Sequence, residues 1–181
     1  MKFLSIYFVF FLLITPPQPV VSKTTLYLHG VIDKNLVNDL QTQISQSPPK
    51  ETNWVLHFDT PGGSVMDGMR LLPFLENNNV TCIVSRAYSM GFILLQACTT
   101  RSIEKYGSLM MHDMQLSFGS KTDFSKIKSY LEFLQRIYDQ LFLLQIQRIG
   151  ISADAFKTKI QSDWWMDAYT ALIYNCVDEI I

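Results

Sequence analysis

Residues 54–65 read W-V-L-H-F-D-T-P-G-G-S-V. The run Trp54–Phe58 has the length and apolar character of a buried strand, and Asp59-Thr60-Pro61-Gly62-Gly63 ends it in a sharp turn. Beyond the turn, Val65–Asn77 has helical spacing and predicts Met66, Met69, Leu72 and Phe74 on the inward face. Glycine suits this turn because a Cβ would keep a ligand carbonyl away from the backbone.

The same unit recurs on both sides. Leu26–Ile32 reads as a strand, and Leu36, Val37, Leu40 and Ile44 follow it at helical spacing. Val80–Val84 reads as a third strand, then come Arg86–Ser89 and a compact apolar helix, Met90–Cys98. Alternating strands and helices imply right-handed βαβ units, a mainly parallel sheet and an α/β fold. Ligands of such sheets bind beyond the carboxyl ends of the strands, where both the Gly62-Gly63 turn and Ser89 lie.

The chain has 181 residues, 48% of them hydrophobic and 17% charged, with a formal net charge of −1. That length suits one domain with a core of its own. The near-zero charge argues against nucleic acid as a partner, since binding phosphates takes clustered Lys and Arg. Cys82, Cys98 and Cys176 lack the paired spacing of a zinc site, so no metal or other cofactor is expected, and their pairing is left open. Residues 1–22 open with Lys2, run through the apolar stretch Phe3–Ile14 and end at Val20-Val21-Ser22. This is the layout of a secretory signal peptide, with a short membrane anchor as the alternative. The expected organisation is therefore an export signal over 1–22 and one domain over 23–181. The linker-like stretch Ser45–Thr52 interrupts that domain.

Three histidines are present. His29 ends the first strand and His57 lies inside the second, both positions that suit structural roles. His112 instead ends the apolar run of G-S-L-M-M-H-D-M and precedes a polar loop, where catalytic groups are often carried. Ser89 stands between a strand and a helix in R-A-Y-S-M-G-F, so its amide and the next point out of a helix N-terminus and can stabilise an oxyanion. A serine nucleophile needs a base and a group that orients the base. His112 is the base candidate. Adjacent Asp113 would point to the opposite face of a strand, which favours Asp163, in I-Q-S-D-W-W-M, as the orienting acid. Phe124–Ile149 is a long helical pattern whose apolar stripe nearly encircles its last two turns. Such a helix must be covered on more than one side, by partner subunits or by an ordinary core.

Four stretches, D-T-P-G-G-S-V-M-D-G-M, Y-S-M-G-F-I-L-L-Q-A, M-M-H-D-M and S-D-W-W-M-D-A-Y-T-A-L-I-Y-N-C-V-D-E-I-I, occur in this order over nearly all of Leu26–Ile181. Together they resemble the proteolytic subunit of Clp protease (ClpP). The resemblance implies a ClpP/crotonase-like fold with a protruding handle helix, and a serine peptidase domain over 23–181. It implies Ser89 as nucleophile, His112 as general base, Asp163 as orienting acid, and the amides of Gly63 and Met90 as the oxyanion hole. It also implies peptide or unfolded-protein substrates and a homo-oligomeric ring associating through the 124–149 helix. Asp59-Thr60 replaces the family's usual Asn-Ser and is closer to signal peptide peptidase A-like membrane-associated proteases, which use a lysine base. Met114 replaces a family proline. ClpP works with a cytosolic ATPase, whereas an export signal places this chain elsewhere, so an ATP-independent exported endopeptidase is expected. The alternatives are a lysine-dyad peptidase, a crotonase-type acyl-CoA enzyme and a non-catalytic ring subunit.

Overall fold

The computed structural model describes residues 22–47, 52–115 and 124–181. Of the predicted export signal only Ser22 falls among them, and part of the Ser45–Thr52 stretch lies outside. Four strands, β1 (Ser22–His29), β2 (Thr52–Thr60), β3 (Val80–Tyr88) and β4 (Thr100–Met111), pair in parallel and in chain order. Strand β5 (Trp164–Asp167) adds antiparallel to β4, and β6 (Glu179–Ile180) pairs with the beginning of β4. The α/β fold with a mainly parallel sheet is thus present.

The alternation of burial shows which face carries the core. Leu26, Leu28, Leu56, Phe58, Val80, Cys82, Val84, Leu109 and Met111 point into it. Tyr27 and Trp165, on the other face, are more than half exposed. The covered face holds α1 (Lys34–Gln46), capped by the Asp33 carboxylate, and α4 (Met90–Gln96), every residue of which is buried. Between them lie α2 (Val65–Gly68), a 3-10 turn (Met69–Leu71) and α3 (Leu72–Asn77). The single helix predicted over Val65–Asn77 is broken here because Pro73 has no N–H to continue the α ladder. The break turns Met66 out to solvent and makes Leu71 and Leu75 core residues.

The long helix α5 spans Phe124–Ile149, about 39 Å at 1.5 Å per residue. It is followed by α6 (Ala153–Ile160) and α7 (Ala168–Ile173). Leu134, Ile137, Leu141, Phe142, Gln145 and Ile149 form its buried stripe. The last two turns are mostly covered by the chain itself and leave Leu143 exposed. Among the described side chains the other exposed apolar residues, Tyr130, Leu131 and Phe133, lie further toward the N-terminus of the helix. No described helix is long and apolar enough to cross a membrane.

The end of the chain is tied down by a buried charge. Arg101 is only 1% exposed, and its guanidinium bonds both carboxylate oxygens of Asp178, Gln96 Oε1 and the Asn175 carbonyl. Burial works to raise the Asp178 carboxyl. The Arg101 hydrogen bonds and charge, backed by Arg148, outweigh it and hold the group below the usual carboxylate range. Asp178→Asn leaves the Arg101 charge buried and short of partners. A loss of about 3 kcal/mol is expected, at the low end for buried pairs because Asp178 is itself partly exposed. Urea unfolding measures it. A carboxyl depressed in the folded state stabilises fully above its unfolded value, near 3.9, and loses that contribution as pH falls through the folded one. The gap between wild type and variant should therefore close in acid.

Candidate active site

Three strand ends converge at one edge of the sheet. The turn after β2 is knitted to the end of β1. Thr60 Oγ1 donates to the Gly30 carbonyl at 2.7 Å and accepts from Gly62 N–H at 3.0 Å. Ile32 N–H donates to Gly62 O and Ser64 N–H donates to Ile32 O, which makes a parallel bridge between Ile32 and Gly63. In such a bridge the N–H of the middle residue faces the opposite side, so Gly63 turns its own N–H away from Ile32. Gly62 (φ +92°) and Gly63 (φ +150°) adopt backbone that side chains rarely tolerate.

The second element is Ser89, between β3 and α4. Its φ is +52° and its ψ −117°, a region that non-glycine residues visit at a cost of about 1–3 kcal/mol. Surrounding bonds hold it there: Ser89 N–H donates to Met110 O on β4 at 2.8 Å, and Ile93 N–H closes the first turn of α4 onto Ser89 O. A Cβ on Gly62 would lie 2.8 Å from Ser89 Cβ and 3.2 Å from Met90 N, so the glycine turn rests directly against the serine elbow. Gly91 lets α4 start close to β2, since a Cβ there would lie 2.5 Å from the Thr60 methyl carbon.

The third element is the end of β4. Ser89, Met90, Gly63 and His112 all line one cavity of about 300 Å³, together with Ile93, Met111, Leu141, Phe142, Phe156 and Ile160. His112 Nδ1 lies 2.6 Å from the Asp113 carbonyl. A carbonyl only accepts, so this bond puts the proton on Nδ1 and leaves Nε2 with a free lone pair, the form a general base requires. The Asp113 carboxylate accepts from Met114 N–H. Tyr138 faces it from α5: burial, then the charge and hydrogen bond of Asp113, push the Tyr138 hydroxyl up to about 12. That hydroxyl stays protonated.

Asp163 is not among the residues lining the cavity, and no hydrogen bond or ion pair joins it to His112 among the described residues. The pairing of Met111 with Trp164 across β4 and β5 nevertheless puts Asp163 opposite His112 by one further step of register. Its φ of +51° ends the strand there, and its side chain is exposed. The nearby Asp113 carbonyl, a backbone group with no sequence signature, meets His112 Nδ1 instead.

A covalent link closes the segment that carries Ser89. Cys82 on β3 and Cys98 just past α4 form a disulfide, Ser89 lies between them in the chain, and Cys176 is a buried free thiol. Burial pushes the Cys176 thiol up to about 12 and keeps it unreactive.

The comparison with known families decides the lineage. Residues 15–181 match the model of the Clp protease family. The chain belongs to that family. It is similar to the ATP-dependent Clp protease proteolytic subunit 1 of Streptomyces coelicolor, 27% identical over 89% of this chain and 75% of the relative. The corresponding subunit of Bacteroides fragilis is 27% identical over 86% and 78%, and subunit 2 of Tropheryma whipplei is 27% identical over 88% and 92%. Membership makes the protein a serine-type peptidase, a hydrolase of the ClpP lineage.

The loop closed by the disulfide spans 16 residues in sequence, for which chain-entropy arguments give about 3 kcal/mol of stabilisation. Reduction, or Cys98→Ser, should lower the unfolding midpoint by a corresponding amount. Denaturant titrations with and without dithiothreitol read it, and the Cys98→Ser variant should be insensitive to the reductant.

Proposed function

We propose that the protein is an exported, ATP-independent serine endopeptidase of the ClpP class that cleaves peptides or unfolded segments. The observation that carries this reading is the meeting of Ser89, His112 and the Gly63 and Met90 amides around one apolar cavity. Ser89 Oγ attacks the peptide carbonyl carbon while His112 Nε2 takes its proton. The carbonyl oxygen becomes an oxyanion that accepts from the N–H groups of Gly63 and Met90. Collapse of the intermediate breaks the C–N bond, and His112 returns the proton to the leaving amine. Water then attacks the acyl-enzyme by the same route and frees Ser89. Asp163 orients His112 once a side-chain rotation brings its carboxylate to Nδ1 in place of the Asp113 carbonyl.

Export is supported by the signal-like segment 1–22 and by a buried disulfide, a bond that persists in oxidising compartments. No cytosolic ATPase would meet the protein there. A homo-oligomeric ring assembling through the 124–149 helix is supported by the exposed Tyr130, Leu131 and Phe133 on α5. A strict monomer by native mass spectrometry that still cleaves peptides would contradict the chamber that such a ring encloses. A lysine base has less support, since no lysine among the described residues lines the cavity with Ser89. A non-catalytic ring subunit is the second reading, favoured by the separation of Asp163 from His112.

Labelling of the purified protein by a fluorophosphonate separates these readings. Wild type should label and the Ser89→Ala variant should not, with His112→Ala strongly slowed. Asp163→Asn should lower peptide hydrolysis on the order of 10²–10⁴-fold without loss of fold. No labelling in any assembly state would favour the non-catalytic subunit, and persistent labelling of Ser89→Ala would remove Ser89 as nucleophile.

A further inference from the structure

The wall of the cavity beside Ser89 contains a buried polar group that the described residues leave unused. Gln145 lies on α5 within the buried stripe and is only 2% exposed. Its Nε2 donates to the Leu141 carbonyl one turn earlier on the same helix, at 2.9 Å. That bond fixes which end of the amide is which, because an oxygen there would face another oxygen. The remaining atom, Oε1, is buried and has no hydrogen-bond partner among the described residues. Buried acceptors are nearly always paired, so an orphan in the lining of a reaction cavity calls for a donor from outside the chain.

The neighbours of Gln145 narrow the donor's chemistry. Ile93, Leu141, Phe142, Phe156 and Ile160 make that part of the lining apolar. The other polar groups differ from it: Ser89 and His112 belong to the catalytic side, the Asp113 carboxylate accepts from Met114 N–H, His112 Nδ1 meets the Asp113 carbonyl, and Gln115 is exposed to solvent. An occupant that satisfies this wall is apolar along its length and carries a neutral hydrogen-bond donor toward its end. Among substrate side chains tyrosine fits that description, and phenylalanine is the same shape without the donor.

We propose that Gln145 is a specificity-determining residue whose Oε1 accepts a hydrogen bond from the substrate side chain in the Ser89 cavity, selecting tyrosine over phenylalanine before the scissile bond. The proposal rests on the peptidase reading for its site. It differs from that reading in what it requires, which is discrimination between two apolar rings by one acceptor. A pocket that only buries apolar surface separates such isosteres weakly. A site with an acceptor that must be paired separates them strongly.

The test uses two fluorogenic peptides that differ only in Tyr or Phe before the scissile bond. In wild type, kcat/KM for the Tyr peptide should exceed that for the Phe peptide by about 10- to 100-fold. In Gln145→Met, of similar size and without the acceptor, the ratio should fall to near one. Gln145→Glu, which keeps an acceptor, should retain the preference and covers the case in which the Met variant does not fold. A ratio near one in wild type, or a ratio unchanged in Gln145→Met, overturns the proposal. Binding of the same peptides to Ser89→Ala, followed by fluorescence anisotropy, gives a readout independent of hydrolysis. Tyr-selective binding that depends on Gln145, without hydrolysis by wild type, would sink the peptidase reading and leave this assignment standing. Equal binding of the two peptides, or binding of neither, overturns the assignment.

Discussion

A Cβ on Gly63 would lie 2.3 Å from the Ile32 carbonyl oxygen, and one on Gly62 would lie 2.6 Å from that of Tyr88. The two glycines therefore let the backbone after β2 lie flat between the backbone after β1 and the elbow after β3. The rest of the site depends on this close approach. It turns the Gly63 N–H away from Ile32, places the turn against Met90 N, and puts Ser89 beside the end of β4 where His112 stands. The neighbouring bonds serve the same contact: Thr60 ties the turn to Gly30, and Met110 holds Ser89 in a backbone conformation it would not adopt alone. Site geometry and fold are in this sense one constraint.

The repeating strand-and-helix order was legible because each buried strand is a short apolar run closed by turn residues. The glycine turn, the serine elbow and the histidine at a strand end were legible because backbone conformation and chain position restrict which residues stand there. Other features had no comparable signal. Strand β3 runs past Val84 through an irregularity at Ser85 that shifts its register with both neighbours, and polar Ser85 and Arg86 disguise the continuation. Thr100-Arg101-Ser102 is a polar run, yet it opens β4 as a buried segment because Asp178, 77 residues later, neutralises Arg101. The disulfide pairing needed the spatial neighbourhood of β3 and the end of α4. Asp163 stands opposite His112 in register, while the partner of His112 Nδ1 is a backbone carbonyl that any residue at position 113 would supply. Gln145 sits at a core position of α5 and looks in sequence like an interruption of the stripe.

Helix α5 performs two tasks at its two ends. Its C-terminal turns close the cavity with Leu141, Phe142 and Gln145 and pack over α4, the helix that starts after Ser89. Tyr138, one turn earlier, lines the same cavity as Asp113 and His112. Its N-terminal half leaves Tyr130, Leu131 and Phe133 in solvent. A single rigid rod thus joins an exposed apolar surface to the reaction cavity, and whatever packs on the first is mechanically linked to the second.

The sulfurs of Cys82 and Cys98 lie in side chains that solvent hardly reaches in the finished fold. An oxidant has little access to them once the core is closed, so the bond must form while β3 and α4 are still coming together. The environment the nascent chain meets then decides which protein is made. Synthesis in a reducing cell interior traps two thiols under Ser89, and later exposure to air reaches them only through partial opening of the core. The redox history of a preparation, more than its final buffer, therefore decides whether the serine elbow is stapled.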